Sequence, residues 1–215
     1  MESPEYVYIP EHFRIRDHAT AISFMRANPF AILVSNTGDG PFATHVPVVI
    51  RESADQVTLC GHVAKANSHW RYLEQQAFCL MIFHGPHAYI SPTNYVTQEN
   101  VPTWNYGAVH VYGNARVYSA HEDLLAMLHD LIPTFEAAYQ QQWESLTDAY
   151  RTRMLNHIVG FEVAVSKIEG KFKLSQNRTP EEQQNVIDSL CPVHDTAISG
   201  TARLMQEQGL GVKKK

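Results

Sequence analysis

Leu59-Cys60-Gly61-His62-Val63-Ala64-Lys65-Ala66-Asn67-Ser68-His69-Trp70 joins an apolar run to a polar one. Val57 to Gly61 reads as a strand, and Asn67 to Gln76 as a short helix. Between them stand a glycine, a histidine, a lysine and an asparagine. A turn that enters a helix leaves backbone N–H groups unpaired, and these favour an anion. Lys65 adds a mobile positive charge and His62 a further donor. The segment therefore reads as a phosphate cradle, although it lacks the Gly-Lys-Ser/Thr of a P-loop. The same residues also fit an ordinary β–α turn with a solvated lysine.

Working outward, the chain is rich in strands first and in helices late. Asp17 can cap a helix over His18 to Ala27, which Asn28-Pro29 ends. Phe30 to Ser35 is a buried strand, and Asn36-Thr37-Gly38-Asp39-Gly40-Pro41 turns it into a second one, Phe42 to Arg51. Pro47 marks that strand as an edge or a bulge, which could aim Thr44 and His45 at a ligand. Beyond the cradle, Ala77 to Phe83 is apolar throughout, as a strand buried on both faces would be. Gly85-Pro86 breaks it, and His87 to Pro92 resumes. Residues 93–103 form a polar loop. Trp104 to Ser119 is the longest strand, with an apolar face from Val109 to Val117 and a polar-aromatic one from His110 to Tyr118.

The second half turns helical. Residues 121–157 form a helical block interrupted at Pro133, with a stripe of Leu124, Leu128 and Leu131. Phe161 to Val165 is a sixth strand ending near Glu169-Gly170, followed by a basic-polar run to Arg178. Thr179 or Asn177 starts a helix with Pro180, Glu181 and Glu182 in its first turn. A last helix spans about Asp195 to Gln208 and stops at Gly209. This order predicts one domain over residues 1–215, mainly β with added helices (α+β). A helical insertion occupies about 120–157, and C-terminal helices about 179–208. An antiparallel β-barrel fits better than a doubly wound sheet, and no Gly-x-Gly-x-x-Gly supports a Rossmann site.

Composition narrows the function. The 215 residues carry a net charge of −5, which disfavours a nonspecific nucleic-acid binder. Lys213-Lys214-Lys215 is too short to alter that. The start, Met1-Glu2-Ser3-Pro4, lacks the basic and apolar regions of a signal peptide, and no apolar run is long enough for a bilayer. Cys60, Cys79 and Cys191 form an odd set without Cys-x-x-Cys, so a reducing cytoplasm is expected. The 12 histidines are scattered singly, and the nearest pair, His84 and His87, flanks Gly85-Pro86. No metal site is expected from them.

Six motifs occur in order: Pro29-Phe30-Ala31; Ala43-Thr44-His45-Val46-Pro47; Gly61-His62-Val63-Ala64-Lys65-Ala66-Asn67; Gly85-Pro86-His87-Ala88-Tyr89-Ile90-Ser91-Pro92; Val101-Pro102-Thr103-Trp104-Asn105-Tyr106; and Gly170-Lys171-Phe172-Lys173-Leu174-Ser175-Gln176-Asn177-Arg178. Together they resemble the PaiB family, described as FMN-binding negative transcriptional regulators, over about Tyr8 to Leu190. The resemblance implies an FMN-binding split β-barrel, distantly related to the pyridoxine phosphate oxidase group. It implies a homodimer with the flavin at the subunit interface. By that resemblance Ala43, Thr44, His45 and Val46 meet the isoalloxazine edge. Gly61, His62, Val63, Lys65 and Asn67 hold the phosphate. Trp104, Asn105 and Tyr106 come from the partner, and Lys173, Ser175 and Gln176 lie near the ring or ribityl chain. The oxidase group's arginine-rich phosphate strand is here Ala43 to Pro47, so helix-end N–H groups and His62 must contribute more.

The residues are chemically apt for this. A flavin needs a flat apolar slot, a few polar groups and an anion site. Trp104 and Tyr106 offer flat surface, although they equally fit core or dimer aromatics. Asn105 and Gln176 both donate and accept, as a pyrimidine edge requires. His45 also fits a satisfied structural histidine. No proton-transfer group is placed, so no catalytic residue is assigned. Three functions compete: a flavin-binding protein with a regulatory or weak oxidoreductase role, a transcriptional repressor acting on DNA, and a haem-binding split barrel. The sequence has no helix-turn-helix and no basic helix to support direct DNA readout.

Overall fold

In a computed structural model, which describes residues 6–54 and 56–211, Asp17 caps the first helix as its position predicts. Thr20 N donates to Asp17 Oδ2 at 2.8 Å. The short strand β1 (Arg14–Ile15) precedes this helix, α1 (His18–Ala27). Then come β2 (Phe30–Thr37) and β3 (Gly40–Pro47), an antiparallel hairpin in register from Phe30↔Pro47 to Thr37↔Gly40. Gly38 and Asp39 make the turn, and Gly40 takes a φ of +135°, which a side chain would rarely accept. The chain continues through β4 (Val49–Glu52), β5 (Val57–Ala64), α2 (His69–Gln75), β6 (Phe78–Ile90) and β7 (Thr103–Tyr118). Helices α3 (His121–Glu136), α4 (Tyr139–Ser145) and α5 (Asp148–Leu155) precede β8 (Ile158–Lys173), and α6 (Pro180–Leu190) and α7 (Thr196–Glu207) follow it. The segments Met1 to Pro4 and Lys213 to Lys215 lie outside the described residues.

The strands form one eight-stranded sheet in the order β3-β2-β6-β7-β8-β5-β4, with β1 on β8. The pairs β1–β8, β2–β3, β2–β6, β4–β5 and β5–β8 are antiparallel. This is the expected α+β class, and the sheet is not closed. Its terminal strands β3 and β4 are consecutive in the chain, separated by Val48 alone. Val48 N turns away from the ladder and donates to Pro29 O at 3.0 Å. The expected single strand Phe42 to Arg51 is therefore two strands at opposite ends of the sheet. Pro47 sits where the sequence suggested, at an edge.

Four further boundaries differ from expectation. His62, Val63 and Ala64 continue β5 and do not turn, because they pair with Gly160, Val159 and Ile158 of β8. Gly85-Pro86 does not break β6. Pro86 packs against α7, where a Cβ added to Gly200 would lie 3.1 Å from Pro86 Cγ. Pro133 lies inside α3, one turn from its end, and the block breaks instead after Glu136 and Ser145. A proline so near the C-terminus removes a single i→i−4 bond, and the helix ends soon after. Strand β8 also runs on through Glu169-Gly170 to Lys173.

The chain divides into two compact units. One comprises the residues up to Ala21, His84–Val109 and those from Glu169 on; the other comprises Ile22–Phe83 and His110–Ile168. In the second unit Met25, Leu33, Leu59, Met81, Phe83 and Phe161 are buried. A satellite core of Leu124, Met127 and Leu155 packs with Leu128 and Leu131, so the predicted leucine stripe anchors the helical insertion. In the first unit Ile90, Phe172, Leu174, Val186 and Met205 are buried. Burying each such side chain stabilises by about 1.5–3 kcal/mol. Helix α6 starts with a capping box between Thr179 and Glu182, and Asp195 caps α7.

Candidate functional site

Strand β5 places Gly61, His62 and Val63, and β8 fixes their register. Gly61 is required there: a Cβ would fall 2.8 Å from the Phe161 ring and 2.9 Å from Pro47 O. His62 follows with its side chain half-buried, and its Nδ1 is buried with no hydrogen-bond partner among the described residues. Burial lowers its pKa below the ordinary histidine value, so it is neutral at physiological pH. A buried ring nitrogen without a partner is costly unless something else meets it. Lys65 is exposed, yet its backbone is pinned. Its N–H donates to His157 O at 2.7 Å, and its carbonyl accepts from Trp70 Nε1 at 3.0 Å. The lysine head is thus free to move on a fixed stem.

Asn67 is spent differently. Its Nδ2 donates to Thr44 Oγ1 at 3.1 Å, and its Oδ1 accepts from His69 N at 3.0 Å. Arg71 N is likewise taken by Ser68 O. The short α2 therefore satisfies much of its own N-terminus, and the helix-end donors that the sequence offered to a phosphate are largely used within the turn. The cradle comes down to Lys65 for charge and to His62 as a neutral hydrogen-bonding ring.

Sequence reading missed the residues behind this turn. His69 is fully buried, with Nδ1 2.8 Å from Thr44 Oγ1 and Nε2 3.0 Å from Ser35 Oγ. The Thr44 hydroxyl accepts from Asn67 Nδ2 and keeps a proton and a second lone pair, so it can meet either tautomer of His69 at Nδ1. Ser35 Oγ, likewise both donor and acceptor, matches the role left to Nε2. This network ties β2, β3 and the turn before α2 together. Its signal was present in His69, two residues after Asn67. Nothing in a single sequence pairs it with Ser35 and Thr44.

On β3, Thr44 faces this network and Val46 is buried, while Ala43 and His45 are exposed. His45 stacks on Phe30, with ring centroids 5.9 Å apart. Strand β3 ends the sheet, so alternate residues direct unpaired N–H and C=O groups outward. Backbone from Ala43 to Val46 can therefore meet a flat heterocycle edge-on.

The remaining candidates lie in the other unit. Trp104 on β7 is 53 % exposed and meets Tyr89 edge-on at 6.3 Å and His87 at 6.0 Å. Tyr106 receives Lys171 Nζ over its ring at 5.6 Å. Asn105 between them is fully buried. Its Nδ2 donates to Ser175 Oγ at 3.0 Å, and Met205 Sδ lies 3.6 Å away. Lys173 Nζ donates to Thr103 Oγ1 and to Trp104 O, the latter at 2.8 Å. Burial, and then neighbouring Lys171, lower its pKa. Gln176 does not offer its amide to a ligand: Oε1 accepts from Leu174 N at 2.7 Å and Nε2 donates to Phe172 O. It closes the loop after β8 on itself. Within that loop Ser175 has a φ of +65°, the one positive value at a non-glycine among the described residues.

Other chemistry finds little purchase. Burial pushes Cys60 to about 11 and Cys79 to about 12, so neither thiol is a thiolate nucleophile near neutral pH. His84 and His87 lie ring to ring at 4.8 Å. Among the described residues no group of three or more His, Cys, Asp or Glu could hold a metal ion. No described helix is long and apolar enough to cross a membrane.

With this geometry established, comparison with known proteins is informative. Residues 7–167 match the family described as "Putative FMN-binding domain". The chain is 35% identical over 204 residues to the protease synthase and sporulation protein PAI 2 of Bacillus subtilis (strain 168), covering 94% of this chain and 98% of that one. The fold is similar to that of the flavocytochrome Anf3 from Azotobacter vinelandii, with a TM-score of 0.60, 15% identity, and 79% and 74% of the two chains covered. The FAD and heme binding protein from Mycobacterium smegmatis gives 0.56 at 13% identity, with 74% and 72% covered. The family match and the near full-length likeness to PAI 2 agree with the order of motifs from Pro29 to Arg178, and the chain belongs to the PaiB family of split-barrel, FMN-binding-domain proteins.

Proposed function

We propose that the protein binds FMN, one site at each of two places along a homodimer seam, and acts through that occupancy as a regulator or weak flavin oxidoreductase. The observation that carries this is the buried Nδ1 of His62, without a partner among the described residues, on the strand that leads into the exposed, stem-fixed Lys65. With its proton on Nδ1, neutral His62 can donate there to a phosphate oxygen, and a lysine head can close on the anion's charge. Gly61 and Val63 shape the strand, with Asn67 holding the turn from behind. The outward backbone of Ala43, Thr44, His45 and Val46 would face the isoalloxazine edge. Trp104 and Tyr106 of the partner would supply the flat surface, with Asn105, Lys173 and Ser175 placed near it and Gln176 shaping their loop. FMN favours this reading over FAD because the cradle provides charge for one phosphate.

Bound flavin supplies electron-transfer chemistry; the chain's own residues bind, orient and shield it. Regulation through ligand occupancy suits a chain of net charge −5 better than direct DNA readout. Buried unpaired thiols at Cys60 and Cys79 suit a reducing cytoplasm. The haem alternative differs in spectrum, with a Soret band in place of two broad flavin bands.

The deciding experiment uses His62→Ala with Lys65→Ala, titrated with FMN and with riboflavin. FMN affinity should fall by about tenfold or more, roughly the worth of one charge-assisted hydrogen bond. Riboflavin, which lacks the phosphate, should be almost unaffected. Equal losses for both ligands would reject the cradle.

A further inference from the structure

The loop after β8 closes off a hollow of about 240 Å³, walled by Tyr95, Thr103, Asn105, Lys173, Ser175 and Arg178. All of it belongs to one unit. The volume is about that of eight waters, below the range of about 300–1,000 Å³ usual for larger ligands. The wall also contains His12, Asn177 and three apolar residues, and no carboxylate. In a chain whose net charge is −5, a hollow with two permanent cations and no acid stands out.

Among the described residues, Lys173 and Arg178 form no ion pair. Lys173 Nζ has three protons and gives two, to Thr103 Oγ1 and Trp104 O. Arg178 uses Nη1 on Asn100 Oδ1 at 2.8 Å and lays its guanidinium over the Tyr95 ring at 3.8 Å. Arg178 helps stabilise the nearby Glu182 carboxylate electrostatically without a direct ion pair: Oε1 accepts from Val96 N at 3.2 Å, and Oε2 from Thr179 N at 3.2 Å. The Arg178 fork is thus held flat with most of its donors unspent.

The hollow is also rigid. Asn105 and Ser175, both buried, exchange hydrogen bonds at 3.0 and 3.2 Å. Gln183 Nε2 donates to Ser175 O at 3.2 Å and to Arg178 O at 3.0 Å. Gln176 locks the same loop, and Ser175 keeps its left-handed backbone. A non-glycine in that conformation persists where the surroundings over-determine it, as they do around ligands. Preformed cations need no reorganisation when an anion arrives.

We infer that this hollow binds a small organic oxyanion, a carboxylate or a phosphate monoester, gripped by Arg178 and Lys173 and read by the Asn105–Ser175 pair. Asn105, Lys173 and Ser175 also stand near the flavin in the proposal above, so Arg178, which that proposal does not use, is the residue that separates the two readings.

The test titrates the full-length protein, without FMN, with benzoate, phenyl phosphate and benzamide by isothermal calorimetry. At least one of the two oxyanions should bind, and neutral benzamide should bind at least tenfold more weakly. Which oxyanion binds better identifies the head group. Arg178→Gln should weaken the oxyanion about tenfold and leave FMN affinity unchanged, and Arg178→Lys should fall between, keeping the charge without the planar fork. Should Arg178→Gln fail to fold, Lys173→Met carries the same expectation for the oxyanion. Benzamide binding equal to benzoate would overturn the inference, as would no binding of either oxyanion. So would a loss of FMN affinity in Arg178→Gln as large as the loss for the probe.

Discussion

His69 shows how much one buried side chain can say. Three protein groups surround it, and burial lowers its pKa from 6.5 to about 4. The unfolded chain takes up a proton near 6.5 and the folded one only near 4, so the unfolded state binds more protons in between. Stability is then full above pH 6.5, falls as the pH drops toward 4, and levels off below. At pH 5 the loss should be of the order of 2 kcal/mol. Urea midpoints measured across this range should slope downward in the native protein and more shallowly in His69→Gln. Parallel slopes would refute the assignment. The proposed roles of His62 and Lys65 could be read from the sequence because a histidine and a lysine near a turn suggest an anion. Ser35 and the inward role of Thr44 were not, since their partners lie 23 or more positions away. Gln176 shows the converse: its amide suits a pyrimidine edge, but in this structure it bonds the backbone of Leu174 and Phe172, which its residue type alone does not reveal.

Elements were legible where their signals are local. The caps at Asp17, Thr179 and Asp195 and the Asn36 to Pro41 turn all appear as composition predicts. Breakers were less reliable, because proline acts against whatever pairing surrounds it. Pro86 stays within β6, packed against α7, and Pro133 costs α3 one bond near its end. The cap of α6 gives a test at this scale. Thr179 Oγ1 accepts from Glu182 N at 3.3 Å, and the Glu182 carboxylate holds Thr179 N and Val96 N. Thr179→Ala should cost about 1 kcal/mol, lowering Tm by about 2–4 °C in a chain of this size. Glu182→Ala should cost more, since it also frees Val96 N. A calorimetric scan giving the reverse order would show that the reciprocal box, and not the link to Val96, dominates.

Over the whole chain, strands before helices gave the α+β class, but not the strand order, because β3 and β4 are sequence neighbours placed at opposite ends of the sheet. Such pairing is decided by contacts far apart in sequence, which periodicity does not record. The surface adds what the fold alone does not. Trp104 is 53 % exposed, Tyr89 52 % and Phe30 62 %. Single exposed apolar residues are ordinary, but an indole meeting a second exposed ring is the kind of anchor that interfaces bury. If two copies share the flavin, assembly and binding are linked, and each ligand stabilises the dimer. Trp104→Ala should then weaken dimerisation by about 2 kcal/mol or more, the scale of a buried tryptophan anchor. It should weaken FMN binding in the same preparation. Sedimentation velocity with and without FMN measures both: FMN should shift the native protein toward dimer at low concentration and shift the variant less. A Trp104→Ala monomer that binds FMN at native affinity would place the flavin within a single chain, and the shared seam would be wrong.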